Sequence, residues 1–292
     1  MSKVLVVAFD GLDKELIEQF GLENIKMSEF GSIDNSTGIT DIKTSELFAS
    51  FITGETSVKH KVTGLKKQPE TLRWRFINFL TPKKLTENIR GFYRFRETLK
   101  WVLNAQSPFK YTREDIDCPT IFDEMKNSRA MFVPSYNPDF LWDAGGLGLI
   151  NSLGYSRRKK VKIWDERSYE IRKNKLFSEL ENDIISPRDF LMVHFHRPDF
   201  YQHLYGDKYA DMYEEGKLKQ LYRQTEDLAV KIKNAAKEAG YTHIIFMSDH
   251  GLPTEYEHNE NAFYSCNKEL FGDETPHITD FHDKILKITG GE

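Results

Sequence analysis

Three places in the sequence set an aspartate, alone or near a histidine, close behind an apolar stretch that is typical of a strand. Asp10 follows the first stretch, Asp199 and His203 follow the second, and Asp249 and His250 follow the third. Carboxylate oxygens and imidazole nitrogens together are ligands that zinc accepts. The pattern therefore indicates a divalent-metal site assembled from strand ends.

The spacing within each motif bears on that hypothesis. Asp199 and His203 are four residues apart, so on one helical turn they would point to the same side and could grip one ion. Asp249 and His250 are adjacent and would need a bent backbone, which Gly251 allows. Each motif alone has a commonplace explanation, a turn or a solvated helix face. Their joint occurrence favours the metal site.

Strand-like and helix-like segments alternate along the chain, as in an α/β protein with a mostly parallel central sheet flanked by helices. In such sheets ligands bind outside the carboxyl ends of the strands. The stretch 136–165, rich in Gly, Asn, Pro and Ser, is typical of irregular structure. Apolar runs and periodicity predict strands at 4–9, 130–134, 189–195 and 242–247, and helices at 13–20, 119–125, 166–182, 209–239 and 278–288.

Composition excludes several classes of protein. Of the 292 residues, 39% are hydrophobic and 29% charged, which is a globular balance rather than a disordered one. Two cysteines exclude a disulfide scaffold and a thiolate zinc cluster, and predict the reducing cytoplasm as the compartment. A net charge of −4 argues against a nucleic-acid partner, and no apolar run is long enough to predict a membrane span. The sequence does not indicate an oligomeric state.

One segment differs from the rest. Residues 65–110 carry eleven Lys and Arg against three Glu, a local charge of +8 that leaves −12 for the remainder. Aromatic residues are interleaved with these charges. We interpret 65–110 as a helical cap inserted into a catalytic domain formed by 1–64 and 111–292. Its alternatives are a lid that binds an anionic substrate and an attachment surface for membrane or nucleic acid.

The sequence resembles the alkaline phosphatase superfamily, and most closely its type I phosphodiesterase/nucleotide pyrophosphatase family. The resemblance lies in Val6 to Leu12, in Thr44 to Gly54 with His60 and Gly64, and in the Asp199, Asp249 and His258 regions. It implies an alkaline phosphatase-like fold and a hydrolase of phosphate esters. The substrate would be a small phosphate ester, with phosphodiesters favoured.

The resemblance also implies two divalent metal ions, zinc or alternatively manganese. One would be held by Asp199, His203 and His258. The other would be held by a second set of side chains, namely Asp10, Thr44, Asp249 and His250. Thr44 would be the nucleophile and would form a phospho-threonine intermediate, because a metal ion lowers the pKa of a bound hydroxyl.

The sequence departs from the family pattern in two places. Ser45 stands where the family usually has a proline close behind the nucleophile, which makes it a rival nucleophile. Leu65 stands where nucleotide-cleaving relatives carry an asparagine, so Lys66 and Lys67 beside it are candidate phosphate contacts. The cysteine that sulfatases convert to formylglycine is absent at 44 and 45.

Other histidines were candidates for the metal site. His277 and His282 are alternatives to His258 as the last ligand, although both lie at or within a predicted helix. His194 and His196 are interpreted as hydrogen-bonded core histidines, with support of a metal ligand as the alternative. Further hypotheses for the whole chain are a phosphomonoesterase or phosphomutase, and a non-catalytic binding protein that uses the insertion.

Overall fold

The structure is a computed structural model that describes residues 2–64, 111–138, 157–199, 216–252 and 258–290, with positions 76, 77, 79–82, 95 and 99. The chain divides into two compact units. One comprises Met1–Gly64, Tyr111–Pro138 and Tyr169–Glu292, and the other Leu65–Lys110 and Asp139–Ser168. Most of 65–110 lies outside the described residues, so the helical cap stays a prediction.

Helices and strands alternate over much of the described chain. A single 3-10 turn at Arg113–Asp115 adds to them. In chain order the elements are β1 (Val4–Phe9), α1 (Lys14–Phe20), β2 (Glu29–Ser32), α2 (Thr44–Thr53), α3 (Ser57–His60), α4 (Ile121–Glu124), β3 (Ser128–Met131), α5 (Arg157–Ile185), β4 (Phe190–Phe195), α6 (Lys217–Glu238), β5 (His243–Ser248), β6 (Phe263–Cys266) and α7 (Asp280–Thr289). None of the helices in the described part of the chain combines the length and apolar character needed to cross a bilayer.

The strands form one sheet in the order β2-β6-β5-β1-β4-β3. β1 pairs in parallel with both β4 and β5, and β3 pairs in parallel with β4. β6 runs antiparallel to β5 and to β2, so the sheet is mixed. The predicted α/β class is confirmed, and the prediction of a mostly parallel sheet is refined by this one reversed strand.

The central strand β1 is buried on both faces. Val4, Val6 and Ala8 point into one hydrophobic core, which α2 and α7 complete. Leu5, Val7 and Phe9 point into the other, together with residues of α1, α5 and α6. The period of two along an extended chain explains why a continuous apolar run serves both cores.

Two sequence-based boundaries were wrong, and two strands were not predicted. β3 ends at Met131 rather than at 134, because Phe132 takes a positive φ of 60°. α5 begins at Arg157, inside the stretch predicted to be irregular. The helix predicted at 209–239 is described from Lys217, behind Gly216 at a φ of 66°, and its predicted start at 209–215 lies outside the described residues. The strands β2 and β6 have four residues each, too few for a clear periodicity.

The buried carboxylate of Asp183, at the end of α5, holds two neighbouring segments: an ion pair joins it to Arg188 ahead of β4, and a hydrogen bond joins it to Tyr241 ahead of β5. Asp183 has no exposed surface, accepts a hydrogen bond of 2.5 Å from Tyr241 Oη, and lies 2.9 Å from Arg188 Nη1. Removing one partner of such a pair leaves the other charged or polar groups buried without compensation.

We therefore expect Asp183→Ala to lower the free energy of unfolding by about 3 kcal/mol in urea denaturation. Glu181→Ala is the control, because Glu181 is exposed on the same helix. Its effect should stay within about 0.5 kcal/mol. Equal losses in the two variants would contradict the role assigned to Asp183.

Candidate metal-binding active site

The carboxyl end of β1 brings the predicted aspartates together. Asp10 directly follows β1, and Asp249 directly follows its neighbour β5. On the other side, the Asp10 amide donates to the carbonyl of Phe195 at the end of β4, and the Asp199 amide donates to the carbonyl of Asp10, both at 2.9 Å. Parallel strands thus deliver three distant carboxylates to one edge of the sheet.

Gly11 allows the closest of these approaches. Its φ is +66°, and a Cβ at this position would lie 2.7 Å from the Cβ of Asp199. A side chain here would therefore be strained and would also collide with Asp199. The Asp-Gly pair after β1 is thus required by packing as well as by the turn.

Thr44 is the first residue of α2 and faces Asp10 and His250. Its Oγ1 lies 3.4 Å from Asp10 Oδ1 and 3.3 Å from His250 Nε2. The carbonyl of the neighbouring Ser45 accepts a 2.7 Å hydrogen bond from Ser135. The contacts with Asp10 and His250 thus place the Thr44 hydroxyl at the carboxylate cluster.

Asp10, Asp249 and His250 form a buried cluster whose possible ligand atoms lie within 4.8 Å of one another. Nε2 of His250 is 3.2 Å from Asp10 Oδ1 and 3.5 Å from Asp249 Oδ2. Within the described part of the chain, neither carboxylate oxygen of Asp249 has a hydrogen-bond partner. Since buried carboxylates are almost always compensated, the donor set fits a divalent cation.

The pKa values of this cluster express its surplus of negative charge. Burial and the nearby charges of Asp10 and Asp199 raise the pKa of Asp249 to about 7, although the charge of His250 acts in the opposite direction. Burial alone would lower the pKa of His250, but the carboxylates of Asp249, Asp10 and Asp199 raise it to about 10. A proton on His250 and a bound cation are two ways of neutralising the same charges, and cation binding would displace the proton.

A second group combines Asp199, His250 and His258, again with possible ligand atoms within 4.8 Å of one another. His258 Nε2 is 3.8 Å from Asp199 Oδ1, and its Nδ1 is 2.9 Å from the carbonyl of Ile42. The ring of His258 stacks on that of His250 with centroids 3.7 Å apart. The two groups share His250, so they are adjacent.

His277 and His282, the alternatives to His258, make other contacts. His277 Nε2 is 2.7 Å from the carbonyl of Thr37, and His282 Nε2 is 3.2 Å from Glu124 Oε1. The predicted ligand His203 and the predicted phosphate contacts Lys66 and Lys67 lie outside the described residues. Those three assignments stay predictions.

Sequence reasoning gave too little weight to His194 and His196. His194 Nε2 and His196 Nδ1 lie 3.3 and 3.4 Å from Asp10 Oδ2, on the side of the carboxylate away from Thr44. Burial alone would raise the pKa of Asp10, but hydrogen bonds from His194, His196 and His250 hold it well below its usual range. The sequence signal for these contacts with Asp10 was the pair of histidines around the end of β4, the strand that lies beside β1.

A buried arginine lies beside His194. Arg172 Nη1 is 3.5 Å from His194 Nδ1 and donates to the His194 carbonyl. Because a guanidinium only donates, this contact favours a neutral ring with its proton on Nε2, the nitrogen that lies 3.3 Å from Asp10 Oδ2. The arginine charge disfavours a further cation next to His194.

Comparison with known proteins identifies the family of this chain. A family model described as type I phosphodiesterase / nucleotide pyrophosphatase matches residues 4–269. None of the curated proteins matches the sequence.

Solved structures extend the comparison. Two structures of murine ectonucleotide pyrophosphatase / phosphodiesterase 5 align over 86% and 85% of this chain, both at 14% identity, with TM-scores of 0.44 and 0.43; the first is an inactive form in complex with AMP. This chain spans 57% of the length of each. A 2-O GAG sulfatase aligns over 100% of this chain and 71% of its own, at 8% identity and a TM-score of 0.57.

The sulfatase alignment supports the fold, and the family match covers nearly the whole sequence. The predicted alkaline phosphatase-like α/β fold is confirmed. This chain belongs to the type I phosphodiesterase / nucleotide pyrophosphatase family.

Proposed function

We propose that this chain is a metal-dependent hydrolase of phosphodiesters in which the hydroxyl of Thr44 attacks phosphorus. The observation that carries the proposal is the position of Thr44 Oγ1, 3.4 Å from Asp10 and 3.3 Å from His250 at the buried carboxylate cluster. Membership of the phosphodiesterase family supports the same chemistry. The substrate would be a small phosphate ester.

The cations would be two, zinc or alternatively manganese. Asp10, Asp249 and His250 would hold one together with Thr44, and Asp199 and His258 the other, with His203 as its predicted third ligand. When bound, the cations would lower the pKa of the Thr44 hydroxyl and offset negative charge at phosphorus.

The protein residues would divide the remaining work. Thr44 Oγ1 would form the bond to phosphorus while the bond to the leaving-group oxygen breaks. This gives a phospho-threonine that keeps the second ester group, and a free alcohol that ends with the proton lost by the hydroxyl. Water would then cleave the bond between phosphorus and Thr44 Oγ1, releasing a phosphomonoester and regenerating the hydroxyl. His194 and His196 would hold Asp10 in place on its far side, so that its other oxygen stays directed at Thr44.

The proposal includes three features that the sequence predicts. Lys66 and Lys67 would contact substrate phosphate, and 65–110 would form a cap. The compartment would be the cytoplasm, which the two free cysteines support.

Replacing the nucleophile tests the reaction. We expect Thr44→Ala to lower kcat on an aryl phosphodiester by about 10³-fold or more while far-UV circular dichroism stays unchanged. Ser45→Ala is the matched control and should keep most of the activity. Full activity in Thr44→Ala, or loss only in Ser45→Ala, would contradict the assignment.

The same assay separates the related activities. A higher kcat/KM on the aryl monoester than on the diester would favour a phosphomonoesterase or phosphomutase.

Metal removal tests the cofactor. We expect dialysis against a chelator to abolish hydrolysis and added Zn²⁺ or Mn²⁺ to restore it, because neither buried oxygen of Asp249 has a hydrogen-bond partner among the described residues. Elemental analysis should give about two ions per chain, as two-metal catalysis requires. Asp249→Asn should lower that content, whereas a metal-free wild type with undiminished activity would contradict the proposal.

A further inference from the structure

The carboxylate of Asp13 lies where two ligand-bearing segments meet, although it is not itself part of either ligand group. One segment follows β1 and carries Asp10, and the other joins β5 to β6 and carries Asp249, His250 and His258. We propose that Asp13 is a positioning residue that holds these segments at the spacing that cation binding needs. The inference rests on the proposed function. Asp13 is buried, with 2% of its surface exposed.

One oxygen of Asp13 does the local work of a helix cap. Its Oδ1 accepts hydrogen bonds from the amides of Glu15 at 2.9 Å and Leu16 at 3.3 Å, at the start of α1. This satisfies two of the amides that a helix N-terminus leaves without partners. Because Asp13 is three residues after Asp10, the cap also fixes the loop that carries Asp10.

The other oxygen reaches the segment between β5 and β6 at three residues. Its Oδ2 accepts from the amide of Leu252 at 3.1 Å, from Asn259 Nδ2 at 2.9 Å and from Asn261 Nδ2 at 3.3 Å. Leu252 is two residues after His250, and Asn259 directly follows His258. A helix cap needs one oxygen only, so these three bonds are additional to the capping role.

Backbone contacts bring the same segments into close approach. The Gly251 amide donates to the carbonyl of Asn259 at 3.2 Å, and the Lys14 amide donates to the carbonyl of Asn261 at 3.1 Å. A Cβ on Gly251 would overlap Asn259 Oδ1 and Asp13 Oδ2. The glycine is therefore needed for the segment behind His250 to reach Asp13.

The chemistry of the donors explains why this position takes a carboxylate. Five N–H groups converge on Asp13, and an ionised carboxylate offers about four lone-pair sites and no donor. An amide would turn one acceptor into a donor facing other N–H groups. A serine hydroxyl would keep the cap of α1 but would not span to Leu252 and Asn259.

Asp13→Ser therefore separates the two roles. We expect it to raise the Kd for Zn²⁺ or Mn²⁺, measured by chelator competition, by about tenfold or more at a temperature where circular dichroism shows a folded protein. The visible spectrum of the Co²⁺-loaded protein should change as well, because the ligands would be displaced. Asp183→Ala is the matched control: it removes another buried carboxylate, and should lower Tm while leaving the Kd unchanged.

Asn259→Ala provides a second variant that leaves the cap of α1 intact and also serves if Asp13→Ser does not fold. It should raise the Kd in the same direction, and the double variant should show less than the sum of the two effects, since both break the same bond. A Kd unchanged in Asp13→Ser and in Asn259→Ala, with only Tm lowered, would overturn the positioning role. A wild type that binds neither cation would instead overturn the proposed function, and this inference with it.

Discussion

Mutual repulsion among buried carboxylates is the constraint on which the site depends. Asp10 and Asp249 are almost wholly excluded from water, with Asp199 close by, and neither oxygen of Asp249 has a hydrogen-bond partner among the described residues. Such a concentration of charge is unfavourable unless something positive compensates it. The surrounding structure has to hold these groups together against that repulsion. The result is a candidate cation-binding cluster beside Thr44.

The central strand supplies most of the holding force. β1 is hydrogen-bonded on both sides and packs into both hydrophobic cores, so Asp10 cannot move away from its neighbours without disturbing the sheet. The backbone bonds that join Asp10 to Phe195 and to Asp199 extend this rigidity past the strand ends. Two side chains near the carboxylates have different roles. His194 contacts the candidate ligand Asp10, and Asp13 joins the segments that carry candidate ligands.

Packing also places Thr44, the first residue of helix α2, at this edge of the sheet. Its inward face is buried from Glu46 to Thr53, which fixes the helix axis against the sheet. Thr44 is left at the first turn, partly exposed, where a substrate phosphate could reach it. Rigid packing behind a partly open hydroxyl is what an attacking group requires.

The sequence by itself determined the α/β class, the central apolar strands and the residue types of the candidate ligands, because these follow from local periodicity and from the chemistry of Asp and His. It could not predict the reversed strand β6 or the convergence of His194 on Asp10. Those depend on which strands become neighbours. The position of His258 beside Asp199 and the contacts of Asp13 with the β5–β6 segment were likewise decided by tertiary structure, since the distances between groups far apart in sequence are set only by packing.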